Sequence, residues 1–281
     1  MIDNSLVVMP PYAVAAAWAL LGGCIGSFLN VCIYRLPREQ SIVTPRSRCP
    51  SCQHPIAWYD NIPVLSFINL RGACRYCRRT IHWRYPAVEL LTAAASVGVI
   101  VRFGSGPVGI VYVAFVAALI VVSFIDLEFQ IIPDEISLGG LLLGLLLSAL
   151  IPALQGTESR VAALWRSGVG ALVGGGILYA TALLGNFLFR KESMGGGDIK
   201  LMAMAGAVLG WKAVLVAFFL APLIALPPGL YVLARKRSHV IPYGPFLSLA
   251  LVVSLFYGDT ILHATGIEET IQLLGEYYQW K

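Results

Sequence analysis

Long apolar runs recur from one end of this 281-residue chain to the other, and only short polar stretches separate them. Hydrophobic residues make up 58% of the chain and charged residues 12%, whereas charged residues average about 25% in soluble globular domains. A run of about 20 apolar residues is long enough to cross a bilayer as a helix. Backbone groups in lipid must bond to each other, which favours helices. The sequence therefore predicts an all-α polytopic membrane protein.

Eight apolar runs are predicted as transmembrane helices: 11–34, 86–103, 108–125, 136–154, 167–189, 199–211, 213–234 and 243–262. The run at 199–211 falls short of the roughly 20 residues that a full crossing takes, and a helix sunk only part of the way through the bilayer would explain it. The corresponding domains are a first transmembrane segment, a polar insert, a transmembrane catalytic bundle and a tail, at 1–34, 35–85, 86–262 and 263–281.

Basic residues in the polar stretches predict the orientation of the chain. Nine arginines and only two acidic residues lie between Arg35 and Arg84. Lys and Arg concentrate in cytoplasmic loops, so we expect this insert in the cytoplasm, with its arginines facing anionic lipid head groups. The basic residues at 190–191 and 235–237 agree with that orientation, whereas Arg160 and Arg166 do not. Because the arginines flank membrane segments, the net charge of +5 does not indicate nucleic-acid binding.

The insert carries two C-x-x-C pairs, Cys49 with Cys52 and Cys74 with Cys77. Two such turns can present four thiolates tetrahedrally to Zn²⁺, and a closed set of four leaves no place for a reactive water, which predicts a structural site. A disulfide pair or four free thiols are the alternatives, and a cytoplasmic location disfavours disulfides. The histidines nearby, His54 and His82, are expected at the surface.

The two remaining cysteines, Cys24 and Cys32, lie in the first apolar run. Free cysteines in such a setting behave as small buried hydrophobes. We therefore predict no metal role for them.

Two aspartates at the edges of apolar runs, Asp126 and Asp198, are predicted to form a catalytic pair. A carboxylate at membrane depth is costly and is a functional candidate by default. Two adjacent carboxyl groups that share a proton can take a proton from water and protonate a carbonyl oxygen. The structural alternatives are a polar side chain reaching the interface for Asp126 and a helix N-cap for Asp198. The glycines at 195–197 are expected to let a substrate backbone approach.

Helix ends suggest which aspartate holds the shared proton. Asp198 opens a predicted helix, whose positive end favours the ionised base, whereas Asp126 closes one, whose negative end favours the protonated acid. Glu89, inside another apolar run, is predicted either to support this site or to hold a cofactor.

Four motifs together resemble the type IV prepilin peptidases, which are intramembrane aspartyl proteases of the GxGD type. They are Gly26–Pro37, the paired C-x-x-C turns, Ile125–Asp126 with Ile132–Asp134, and Gly195–Lys200. The resemblance implies a bacterial inner-membrane enzyme that removes the basic leader of prepilins and pseudopilins at the cytoplasmic face. It also implies Asp126 and Asp198 as the catalytic residues.

Family members with the cysteine insert typically also methylate the new N-terminus with S-adenosylmethionine. This second activity comes from the resemblance alone, because no glycine-rich nucleotide motif marks a methyl-donor site. A proton or cation transporter and a non-enzymatic assembly subunit are the competing interpretations. The spans offer few ionisable groups for a transport pathway.

Overall fold

The computed structural model describes residues 10–190, 194–234 and 242–266. Within these residues the chain forms nine α-helices: α1 (Pro11–Arg35), α2 (Leu65–Asn69), α3 (Arg84–Phe103), α4 (Pro107–Phe129), α5 (Asp134–Leu150), α6 (Arg160–Phe189), α7 (Gly196–Leu209), α8 (Trp211–Ala234) and α9 (Gly244–Ala264). Lys191, the basic cluster at 235–237 and most of the predicted tail lie outside the described residues.

The predicted fold class is confirmed, because every apolar run contains a helix and the described part of the chain holds two isolated bridges and no strand. Six of its helices, α1, α3, α4, α6, α8 and α9, are long and apolar enough to span a membrane, which makes the chain a multi-pass membrane protein. The other two predicted spans, α5 and α7, have 17 and 14 residues. At 1.5 Å per residue they extend about 25 and 21 Å, against a hydrocarbon core of about 30 Å.

Several helix ends differ from the predicted ones; α5, for example, ends at Leu150 rather than at 154. α6 begins at Arg160, seven residues before the predicted start at 167, because the hydroxyl of Ser159 accepts the N–H of Ala162 and caps the helix. α4 runs on to Phe129 rather than ending at 125, so Asp126 lies inside the helix. In both cases the helix includes charged residues, Arg160 and Arg166 of α6 or Asp126 and Glu128 of α4, that lie outside the predicted apolar run.

The chain divides into two compact units, Met1–Val121 and Val122–Lys281, with the boundary inside α4. In the first unit, α1 and α3 approach closely through glycines. A Cβ atom on Gly22 would lie 2.8 Å from Cα of Ala93, and one on Gly26 would lie 2.7 Å from Cα of Glu89. This is the small-residue spacing by which membrane helices bring their backbones together.

The second unit is built around α7. Leu201, Met202 and Ala205 are fully buried in the middle of this helix. At its C-terminal end, where a helix leaves carbonyl groups without helical donors, the carbonyl oxygen of Ala207 accepts hydrogen bonds from Gln155 (3.0 Å) and Ser167 (2.6 Å). Neighbouring elements therefore satisfy the end of α7, and this short helix is part of the core of the unit.

We predict that Gly170→Ala destabilises the second unit. A Cβ on Gly170 would collide with the carbonyl oxygen of Gly206 on α7, so the two helices would have to separate. Overpacking of this kind costs about 1–3 kcal/mol. Gly168→Ala, in the same helix but with nothing within 4 Å of the new methyl group, is the matched control. Thermal unfolding in detergent should show a lower midpoint for Gly170→Ala, and equal midpoints would contradict the close contact.

Candidate active site and metal centre

Asp126 lies one turn before the end of α4 and is 6% exposed. The helix ends beyond it, where Gln130 adopts a positive φ of 56° and its N–H donates to the Asp126 carbonyl oxygen. The side-chain carboxyl group of Asp126 has a partner from far along the chain. The N–H of Gly244, the first residue of α9, donates to its Oδ2 (2.8 Å). A backbone donor at a helix N-terminus stabilises a negative charge at this position.

Asp198 lies in the first turn of α7, and the N-cap of that helix is Gly195. The N-cap alternative for Asp198 is therefore wrong. Of the three glycines before Asp198, Gly197 is packed against the turn that follows α4, since a Cβ there would lie 2.9 Å from Cβ of Ile132. Gly196 has open space around it, as expected for a position that a substrate backbone approaches.

An ion pair also connects the turn between α4 and α5 with α7. Lys200 of α7 donates to both carboxylate oxygens of Asp134, at 2.7 and 2.9 Å. Asp134 opens α5, and the sequence offered no partner for it. The turn between α4 and α5 is thus held against the start of α7 by Ile132 on one side and Asp134 on the other. These contacts fix the turn that follows Asp126 relative to the helix that carries Asp198.

The two aspartates lie in the same part of the second unit, within electrostatic range of each other. The start of α9 lies beside both of them. Gly244 binds Asp126, while burial and the charge of Asp198 raise the pKa of Tyr243 to about 12. Tyr243 therefore stays protonated at neutral pH and remains a hydrogen-bond donor.

The sequence does not reveal this contribution of α9. The only local signal is Pro242-Tyr243-Gly244-Pro245 at the start of a predicted helix. Proline is common at a helix start, whereas glycine is more typical of the position after a helix end. A Cβ on Gly244 would lie 2.8 Å from Oδ2 and 3.1 Å from Cγ of Asp126, so this position has room for glycine alone. The same hydrogen bond favours the ionised form of Asp126 and opposes the helix-end effect from which we predicted that Asp126 holds the proton.

The four cysteines of the insert come together as predicted. The Sγ atoms of Cys49, Cys52, Cys74 and Cys77 all lie within 4.8 Å of one another, and all four thiols are free. Cys49 Sγ and Cys77 Sγ are 3.8 Å apart. Four thiolates at about 2.3 Å from a tetrahedral Zn²⁺ are separated by about 3.8 Å. The cluster therefore fits a metal ion without a change of backbone.

The two C-x-x-C turns have the same local structure, which the sequence does not reveal. In the first turn Cys49 N–H donates to the His54 carbonyl, and in the second Cys74 N–H donates to the Arg79 carbonyl. The residue after each second cysteine has a positive φ of 58°. Such turns aim backbone N–H groups at sulfur. Hydrogen bonds from the backbone of Cys77 and Tyr76 lower the pKa of Cys74 to about 7, whereas the pKa of Cys52 in the same cluster is raised to about 11. A thiolate is the form that binds metal.

The remaining predicted residues are two histidines of the insert, two cysteines of α1 and Glu89 of α3. His54 and His82 are exposed, as expected. Cys32 is buried, but Cys24 is exposed on α1, so its predicted burial is wrong because it lies on the outer face of that helix. Glu89 is buried in α3 of the first unit, where it accepts the N–H of Val64 (2.7 Å).

Comparison with known proteins decides the family. Residues 20–103 match the model of the bacterial Peptidase A24 N-terminal domain, and residues 113–230 match that of the type IV leader peptidase family. A protein of Aeromonas hydrophila named prepilin leader peptidase/N-methyltransferase is 36% identical over 84% of this chain and 88% of its own length. The chain belongs to the type IV leader peptidase family.

Two relatives of the same name, from other bacteria, align with a larger share of this chain. A protein of Burkholderia pseudomallei (strain 1026b) is 34% identical over 88% of this chain and 87% of its own length. One of Pseudomonas putida is 32% identical over 96% of this chain and 98% of its own length. No solved structure matches the chain.

We predict that Gly244→Ala reduces the rate of leader cleavage by this peptidase about 100-fold while the protein stays folded. The added methyl group would displace the Asp126 carboxyl group, and a misplacement of about 1 Å costs about 100-fold in rate. Gly258→Ala, in the same helix, places its methyl group at an ordinary 3.6 Å from Ser254 Oγ and is the control. Initial cleavage rates in detergent micelles measure both variants. Wild-type activity in Gly244→Ala would refute the contact with Asp126.

Proposed function

We propose that this protein is an intramembrane aspartyl endopeptidase that removes the basic leader of type IV prepilins and pseudopilins at the cytoplasmic face of the bacterial inner membrane. It then methylates the new N-terminus with S-adenosylmethionine. One observation supports the proposal of an aspartyl protease: Asp126 of α4 and Asp198 of α7 lie within electrostatic range of each other, and the start of α9 lies beside both, with the Gly244 N–H bound to Asp126. The names of the relatives support both activities.

Peptide hydrolysis follows from two neighbouring carboxyl groups in different protonation states. The ionised group takes a proton from water as it attacks the scissile carbonyl carbon, and the protonated group donates to the carbonyl oxygen. Collapse of the tetrahedral intermediate then returns a proton to the leaving amine. The hydrogen bond from Gly244 supports Asp126 as the ionised base, which leaves the shared proton on Asp198. This assignment reverses the one predicted from helix ends.

The substrate chemistry suits a site at the edge of a membrane bundle. A prepilin has a basic leader followed by an apolar helix, so the helix can enter from the bilayer while the leader stays in water. The nine arginines of residues 35–84 support a cytoplasmic insert that contacts anionic lipid head groups. Trp58 and Trp83 of the insert are 81% and 66% exposed, as is typical of side chains at a membrane interface.

For the four-cysteine cluster we propose a structural Zn²⁺. Four thiolates suit this ion, and a closed shell leaves no open coordination position for catalysis. Cys49 is the only buried apolar side chain of residues 35–85, so the metal supplies stability that a hydrophobic core does not. The bidentate contact of Arg75 with Asp60 ties the second cysteine turn to the preceding segment (2.5 and 2.7 Å).

The two competing interpretations lose their support. A transporter was inferred from intramembrane acids alone, and an assembly subunit would need no paired aspartates. Relatives across most of the chain are named as peptidases and methyltransferases.

We expect Asp126→Asn and Asp198→Asn each to reduce prepilin cleavage by about 10²–10⁴-fold, because each removes one partner of the acid–base pair. Asp259→Asn is the matched control, since Asp259 is exposed on α9. Purified wild-type and variant proteins are incubated with a prepilin and S-adenosylmethionine, and mass spectrometry reports cleavage and methylation of the product. Substantial cleavage by either variant would rule out the proposed catalytic pair.

Metal analysis tests the zinc site. Purified wild-type protein should contain about one zinc per chain, since four thiolates form one tetrahedral shell. Cys49→Ser should lower both the zinc content and the melting temperature, whereas Cys24→Ser, which lies outside the cluster, should change neither. Full zinc content in Cys49→Ser would show that the cluster is not the binding site.

A further inference from the structure

A polar seam runs between α1 and α3 in the first unit, and neither the proposed protease site nor the zinc site uses it. Its members are polar or small residues in two otherwise apolar helices: Gly22, Gly26, Ser27 and Asn30 of α1, and Glu89, Thr92 and Ser96 of α3. A carboxylate between membrane helices is costly and marks a functional site unless it is only a structural anchor.

Glu89 is held by groups from two directions. Its Oε2 accepts the N–H of Val64 (2.7 Å), and the Ser27 hydroxyl donates to the same carboxyl group. Val64 has φ 62° and ψ −48°, and Leu65 N–H donates to the Pro63 carbonyl (2.6 Å). This is the rare positive-φ γ-turn, in which a β-branched residue is strained. The surrounding structure must hold such a residue in place, and strain of this kind clusters at functional sites.

Asn30 provides a second acceptor on the same seam. Its Nδ2 donates to the carbonyl oxygens of Gly26 (3.2 Å) and Tyr85 (3.1 Å). Asn30 is only 3% exposed, and its Oδ1 has no hydrogen-bond donor among the described residues. A Cβ on Gly26, whose carbonyl oxygen accepts from the Asn30 amide, would lie 2.7 Å from Cα of Glu89, so Asn30 and Glu89 belong to the same contact between α1 and α3.

We propose that this seam binds the α-amino group of the peptide that is methylated, with Glu89 as the proton acceptor and Asn30 Oδ1 as a hydrogen-bond acceptor. The inference rests on the methyltransferase activity of the proposed function. A buried carboxylate and an unpartnered amide oxygen together select a ligand that carries N–H donors and a positive charge. A peptide N-terminus has both, whereas a phosphate or carboxylate ligand would be repelled.

The chemistry balances with the sulfonium donor, S-adenosylmethionine, as co-reactant. The ammonium group first loses a proton to the Glu89 carboxylate, which frees the nitrogen lone pair. That lone pair forms the new N–C bond to the methyl group while the S–C bond breaks, and its electrons stay on sulfur as a neutral thioether. The positive charge of the sulfonium is thereby transferred to the methylated amine. Glu89 therefore has two roles: it binds the ammonium group and removes its proton.

A purely structural role for Glu89 makes a different prediction. As an anchor, the residue needs only an acceptor for the Val64 N–H and the Ser27 hydroxyl, and the amide oxygen of glutamine provides one. Glu89→Gln therefore keeps an anchor but removes the charge and the proton acceptor. The same substitution separates the two roles without a change of size.

The test uses the full-length protein in liposomes with two readouts in one sample. One readout is cleavage of a prepilin, and the other is transfer of a labelled methyl group from S-adenosylmethionine to a synthetic peptide with a free N-terminal phenylalanine. Glu89→Gln should cleave at the wild-type rate and transfer methyl groups about 10²–10⁴-fold more slowly. Its residual transfer should rise above about pH 8, where the peptide amine loses its proton unaided. Asp126→Asn should show the reverse pattern, with methyl transfer retained.

A second variant keeps the test decisive. Asn30→Leu preserves side-chain size and removes the free acceptor, so it should raise the KM for the peptide by at least about tenfold, the equivalent of one lost hydrogen bond to a charged group. Wild-type methyl transfer in Glu89→Gln would overturn the inference. If Glu89→Gln loses both activities, unchanged methylation by Asn30→Leu overturns it and a selective methylation defect supports it. Absence of methyl transfer by the wild-type protein would instead overturn the proposed methyltransferase function.

Discussion

Lipid offers no hydrogen bonds, so each polar group that enters the membrane helices must find its partner within the protein. Several of the described residues meet this requirement through long-range contacts, and Asn30 Oδ1 is an exception. The Ala207 carbonyl at the end of α7 accepts from Gln155 and Ser167, and the Asp126 carboxyl group accepts from Gly244. In the first unit the Val64 N–H finds Glu89. The positions of the functional side chains are consequences of this requirement.

Close helix packing makes these contacts possible. Gly170 and Gly206 bring the backbones of α6 and α7 together, and Gly244 lets the start of α9 lie against the Asp126 carboxyl group. Dispersion and short polar contacts, rather than hydrophobic exclusion, hold helices together in lipid, so small residues matter more than large ones. The outcome is a short, buried α7 that presents Asp198 from a firmly packed core. A catalytic pair benefits from such rigidity because acid–base transfer depends on sub-ångström placement.

The polar insert solves a different problem with a different device. In water the hydrophobic effect is available, but residues 35–85 include too few buried apolar side chains to use it. Two turns of the same local structure bring four thiols to within 4.8 Å of one another, and the metal ion that we propose there would replace the missing core. The short sequence spacing within each pair suffices to form each turn, and this is why the site was predictable.

The sequence by itself determined the helical fold class and the four-cysteine cluster, because apolar run length and C-x-x-C spacing are local properties. A carboxylate at a membrane edge is local too, and on that ground the sequence predicts Asp126 and Asp198 as the catalytic pair. Only the tertiary structure decided which groups contact these residues. It supplied Gly244 as the donor to Asp126 across 118 residues of chain, paired Lys200 with Asp134 and moved Asp198 from the N-cap into the first turn of α7. Such contacts depend on how helices pack against each other, and no local pattern encodes the partner that packing brings to a polar group.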